Sequence, residues 1–255
     1  MTGRLPRGAR RHWQALDRPA LPVPPAVDTA AIAALPEPAR RWLGRAVPPG
    51  TPAWSVAELS MRGEIRLGGA WHAFSARQLL APGVGFVWAA RTRVLGLPVA
   101  GFDRYGPGGG ELRWRLLGVV PVLSAAGADV SRSAAGRLAG EGVLVPTACP
   151  RAVWSEGPAP DTAVMSWVLD GEREDTVVRV DPEGRLRELS MRRWGRSRRH
   201  RVRPAPLRGR AVRGDRRRRR PRARRPERRL GVGERAAGRG RVLPGADRGR
   251  PSPVS

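Results

Sequence analysis

The side chains best suited to chemistry in this chain are Arg91, Asp103, Arg104, Tyr105, Arg113, Arg132 and Glu141. Two carboxylates, a phenol and four guanidiniums around one apolar stretch could hold an anionic headgroup, because the planar guanidinium fork matches a carboxylate or phosphate bidentately. The same residue types also fasten loops and helices to sheets through ordinary ion pairs, and that bland role is the commoner one. Trp71, Trp88, Trp114, Trp154 and Trp167 recur at strand spacing. Such residues form core first, and Trp88, Trp114 and Trp167 are the candidates for lining a cavity that takes an apolar ligand.

Several chemistries find no support in the residue pattern. The chain has no Gly-x-Ser-x-Gly, no P-loop, no His-Glu-x-x-His and no dinucleotide fingerprint. Gly106–Gly110 is Gly-rich but precedes a strand pattern instead of a helix start, so it makes a poor phosphate cradle. His12, His72 and His200 fall in separate segments, which argues against a shared metal site. No catalytic residue, metal ligand or cofactor is assigned. The single cysteine, Cys149, excludes an intrachain disulfide and any cysteine-based metal cluster, and beside Pro150 it reads as a small buried apolar residue.

The elements that must position these residues come from periodicity. Leu112, Trp114 and Leu116 alternate with Glu111, Arg113 and Arg115, the mark of a strand with one buried face. Asp129 then precedes Ala134, Ala135 and Leu138 at helical spacing. Upstream, Asp28 caps a helix reaching Leu35, and a second helix spans Glu37 to Arg45. Strands follow at 59–67 and 71–80, with the cleanest at 84–94. Downstream, Asp170-Gly171 and Asp181-Pro-Glu-Gly184 are turn sequences between further strands. Consecutive hairpins without long crossovers predict an α+β fold: a curved antiparallel sheet with an inserted helical segment and an N-terminal helical region.

Charge divides the chain. Its 255 residues carry a net +26, but residues 196–255 hold 23 Arg against 4 acids. That segment has no apolar periodicity and no aromatic residue, and is expected to be a disordered Arg-rich tail. Three readings compete for it. A one-base slip in GC-rich DNA would produce such Arg, Gly and Pro content, and this out-of-frame reading is favoured. An arm for nucleic acid is the second, although the segment lacks the interleaved aromatics that stack on bases. A tail without a role is the third. The expected organisation is a disordered lead over 1–27, one α+β domain over 28–195 that lacks its last strands, and the tail. No apolar run approaches the roughly 20 residues that span a bilayer, and no secretory signal is visible, so a cytoplasmic protein is expected.

The segments LPEPARRWL (Leu35 to Leu43), GFVWAAR (Gly85 to Arg91), GFDRY (Gly101 to Tyr105), RWRLLG (Arg113 to Gly118), SRSAAGRLAGE (Ser131 to Glu141) and PTA (Pro146 to Ala148) resemble an uncharacterised family of high-GC bacterial proteins. The likeness covers roughly 30–195 and implies no activity. Family members continue past Arg193 to Gly195 with further strands, where this chain departs. The function expected is non-enzymatic binding of an apolar or lipid-like anionic ligand between sheet and helix, by general analogy with lipoprotein-carrier cups. The alternatives are a nucleic-acid-associated protein acting through its tail, and a hydrolase or isomerase with an unrecognised carboxylate site.

Overall fold

Leu59, Met61, Ile65 and Leu67 alternate with polar neighbours, and they form β1 (Ala57–Leu67), the first strand of a six-stranded antiparallel sheet. β2 (Ala70–Ala81), β3 (Gly85–Val94), β4 (Leu97–Tyr105), β5 (Glu111–Leu116) and β6 (Val120–Ala126) follow in chain order, each hydrogen-bonded to the one before. This computed structural model describes residues 5–17, 23–67 and 69–191, and the backbone of 200–202.

A second antiparallel sheet holds β7 (Val153–Glu156), β8 (Thr162–Leu169), β9 (Glu172–Val180), β10 (Leu186–Met191) and β11 (His200–Val202), in the order β11-β10-β9-β8-β7. Helix α4 (Ala128–Glu141) and two short 3-10 helices, Gly142–Leu144 and Pro146–Arg151, connect the sheets. The α+β class and the inserted helical segment are therefore present, with the strands divided between two sheets. Helix α4 touches strands of both. Asp129 lies in its first turn, and the residue at its N-terminal boundary is Gly127.

Period-two alternation gives the first sheet two apolar faces. The inner face carries Leu59, Leu80, Phe86, Trp88, Val99 and Trp114, which join α2 (Thr29–Ala33), α3 (Glu37–Ala46), α4 and the second sheet in one buried cluster. The outer face carries Leu79, Ala81, Val87, Ala89 and Phe102 under α1 (Ala9–Leu16), whose Ala9, Trp13 and Leu16 complete a smaller cluster. This corrects part of the reading of 1–27 as a disordered lead, since Trp13 and Leu16 give α1 a stripe that the first sheet buries. At the other end, β11 pairs with β10 inside the segment expected to be disordered. The remaining expectations for 196–255 fall outside the described residues.

Close backbone approach explains Gly101. It pairs with Trp114 across β4 and β5, and a Cβ there would lie 2.5 Å from the Arg113 carbonyl oxygen and against the indole of Trp114. Gly101→Ala should therefore cost about 1–3 kcal/mol, the usual range for overpacking, measured as a lower urea midpoint.

The β9–β10 turn is built around Asp181. Its carboxylate accepts 2.8 Å bonds from the Arg185 backbone N–H and Nε, and a 2.7 Å bond from Arg187 Nε. Desolvation pushes its pKa upward, but these bonds outweigh it and hold the group at about 2, below the ordinary 3.8. A depressed carboxylate contributes stability above its unfolded pKa and loses it as pH falls through the folded value. Asp181→Asn should therefore melt below the parent chain at neutral pH, and thermal scans should show the gap closing between pH 3.8 and about 2.

Candidate functional site

Four polar side chains meet on the inner face of the first sheet, beneath α4. Arg137 and Glu141 stand one helical turn apart on α4, at the spacing that puts side chains on one face, and Arg137 Nε donates to Glu141 Oε1 at 2.8 Å. Gln78 on β2 and Asp103 on β4 flank Trp88 in register across β3. Gln78 Nε2 donates to Glu141 Oε2 at 2.5 Å, and Trp114 Nε1 donates to Asp103 Oδ1 at 3.1 Å. The outer nitrogens of Arg137 reach Asp103 Oδ2 and Gln78 Oε1 only at 3.5 Å.

The floor of this cluster is aromatic. The Arg137 guanidinium lies 4.6 Å from the Phe86 ring centroid and 5.3 Å from that of Trp88, within cation–π range. Trp88 packs against Trp114 and Phe74 with centroids 5.8 Å apart in each pair. The polar groups are not sealed off: Arg137 keeps 21% of its side-chain surface, and Asp103 and Glu141 each keep 28%.

Burial works against the Arg137 charge, but Glu141 and Asp103 beside it more than compensate and keep it protonated. Burial raises the pKa of Asp103 above 3.8, and Glu141 adds repulsion, while Arg137 and the Trp114 N–H oppose both. With both carboxylates ionised, the cluster carries one net negative charge. With Asp103 protonated it is neutral.

The residues expected from sequence do not form one site, because neighbouring strand residues point to opposite faces. Asp103, Tyr105, Trp88 and Trp114 share the inner face with Glu141. Arg91, Arg104 and Arg113 belong to the outer face, following the pairings of Phe102 with Ala89 and Arg113. There Arg104 and Arg113 pair with the buried Glu111, which also lies 3.6 Å from His12. Burial first, then the surrounding arginines, lowers the His12 pKa despite Glu111.

Three expected residues act elsewhere. Tyr105 donates to Asp170 Oδ2 at 2.7 Å and links the first sheet to the β8–β9 turn. Burial and this bond raise its pKa. Arg132 is exposed on α4 and acts electrostatically on Glu174. Trp167 is buried between Gly83 and Gly142. Among the described residues, no group of three His, Cys, Asp or Glu side chains could hold a metal ion.

The sequence reading missed Arg137 and Gln78. Arg137 carries a signal in its four-residue spacing from Glu141. Gln78 carries one as a polar residue in phase with Ala76 and Leu80 on a strand whose inner face is apolar.

Removing Arg137 would leave two carboxylates facing each other in a mostly buried site. Breaking such a cluster from one side costs about 3 kcal/mol, the lower end of the range because the groups keep some water. Arg137→Met should lose about that much in urea unfolding, and adding Glu141→Leu to it should recover part of the loss.

The sequence profile of a family of unknown function, DUF6544, matches residues 25–219. The match therefore runs beyond residue 195, where the motif resemblance stops. No curated protein and no solved structure matches the chain. Since the profile spans most of its length, the chain belongs to this family of unknown function.

Proposed function

We propose that the domain binds an apolar or lipid-like ligand with a weakly acidic head on the inner face of the first sheet. The observation that carries this reading is the placement of the Arg137–Asp103–Glu141–Gln78 cluster. It stands, partly open to water, at one end of an inner-face row that runs through buried Trp88, Ala90 and Thr92 to half-buried Val94. From Trp88 the inner face continues toward Val94 along β3, flanked by Phe74 and Leu116, all packed at the margin of the core. Along β3 the distance from Trp88 to Val94 is about 20 Å, comparable with the length of a long acyl chain. Ionic groups inside an apolar interior add little stability over apolar side chains of the same volume, so their presence here is consistent with a recognition role.

The arginines expected to recognise the head, Arg91, Arg104 and Arg113, face the other way, and Arg137 takes that role. Its outer nitrogens, held at 3.5 Å, can offer shorter bonds to a carboxylate. An acidic head is repelled while Asp103 and Glu141 are both ionised. Protonated Asp103 removes one charge and supplies a hydrogen-bond donor. A carboxylate whose folded pKa is raised is held protonated to a higher pH than in the unfolded chain, so binding should tighten as pH falls.

The hydrolase or isomerase alternative would use the same two carboxylates. The nucleic-acid alternative rests on residues 196–255, almost all outside those described.

Titration of the full chain with a dansyl-labelled fatty acid tests the proposal. Saturable fluorescence enhancement is expected, stronger at pH 5 than at pH 8 because Asp103 is more protonated there. Asp103→Asn should keep binding and flatten that difference, and Arg137→Lys should weaken binding about tenfold through loss of the fork. No enhancement at either pH, with no lipid retained in native mass spectrometry, would overturn the reading.

A further inference from the structure

Three hairpins of the first sheet close at the same end: β1–β2 beside Gly69, β3–β4 at Leu95-Gly96, and β5–β6 at Leu117-Gly118-Val119. This rim is apolar and exposed, presenting Trp71, Leu95, Leu97, Leu117, Val119 and Val120, with Leu95 93% exposed. Val122 and Leu123 extend the patch along the edge strand β6.

Two of these side chains are held against backbone preference. Leu95 and Leu117 adopt φ of 50° and 54°, each followed by a glycine that is also left-handed. Asn, Asp or Gly is the usual residue at such a turn position. The second sheet makes its β8–β9 turn with Asp170-Gly171 at φ of 50° and 82°, the favoured choice. Leucines at the first sheet's tips bear the strain without burying the side chain, which points to a use outside the fold.

Charge identifies the partner. Arg66, Arg93 and Arg115 donate to the turn carbonyls of Gly69, Gly96 and Val119 at 3.2, 2.9 and 2.9 Å. Each tip thus carries a guanidinium just behind its apolar end. Over the tip halves of these strands the only acid is Glu64. The ion pairs of Glu58 with Arg77, and of Glu111 with Arg104 and Arg113, lie toward the opposite end of the sheet. Apolar tips with cations behind them match an anionic bilayer, whose acyl boundary takes the leucines while its phosphates meet the arginines.

We propose that this rim docks on an anionic lipid bilayer through the Leu95 and Leu117 tips. The inference goes beyond the interior ligand and stands whether or not that site is occupied.

The test uses the full chain with an environment-sensitive nitrobenzoxadiazole label at Leu95→Cys or Leu117→Cys. Cys149 is buried and burial raises its thiol pKa, so it should not compete for the label. Val168→Cys, at an exposed position of β8 in the second sheet, is the control. With phosphatidylcholine vesicles containing one-third phosphatidylglycerol, the tip labels should shift to the blue and brighten while the control does not. Leu95→Asn with Leu117→Asn should keep or raise the melting temperature, because Asn suits the left-handed turn. The same variant should weaken vesicle binding about tenfold or more.

Vesicle flotation without a shift at either tip would assign binding to another segment, such as the Arg-rich C-terminus, and overturn the proposal. So would absence of any binding. A dimer that the double variant dissolves, with no vesicle effect, would assign the rim to a second copy of the chain and overturn it as well.

Discussion

The backbone of α4 runs against both sheets, and its side chains answer a different demand on each side. Toward β10 it meets the end of the Met191 side chain, which lies over Gly140. Just beyond its end, Gly142 leaves room for the Trp167 indole, which also presses on Gly83 at the β2–β3 turn. Toward the first sheet, α4 presents Arg137 and Glu141 to Gln78 and Asp103. Gly142 gives the Trp167 indole of the second sheet its place, and the ionic cluster ties the helix to the first. The interior between the sheets is shared by α4 with α2 and α3.

Alternation in the strands then sorts the chemistry. Asp103, Arg104 and Tyr105 are consecutive, yet their side chains leave in opposite directions, so three different structures share them. Asp103 joins the inner cluster, Arg104 joins Glu111 on the outer face, and Tyr105 crosses to Asp170. A short sequence dense in polar groups is thus a junction between the two faces, and its charges serve separate purposes.

Much of the fold was legible because local signals agreed with it. Asp28 accepts from the Ala30 N–H at 2.8 Å as a helix cap should, and Asp170-Gly171 and Asp181–Gly184 turn where their residue types require. The strand β6 was not legible: Val119, Val120, Val122 and Leu123 do not alternate, and Pro121 suits only an edge, which is where the strand lies. Helix α1 was hidden because its three buried residues, Ala9, Trp13 and Leu16, make a short stripe in an Arg-rich segment. At the candidate site, Asp103 and Glu141 stood out among the polar residues and Trp88 and Trp114 among the strand tryptophans, as two separate groups. Arg91, Arg104 and Arg113 are near them in sequence but opposite in strand phase, so they face the other side of the sheet. Arg137 was missed because a helix whose apolar side is mostly alanine and glycine gives little contrast to mark which arginine faces inward.

Helix α1 has a practical consequence for handling this protein. The family match begins at residue 25, downstream of the whole helix. A shortened chain cut at that boundary would keep every strand of the first sheet but turn Leu79, Val87 and Phe102 toward water. Contiguous apolar surface of that kind promotes self-association, so α1, upstream of the matched residues, acts as a cover for the outer face of the first sheet.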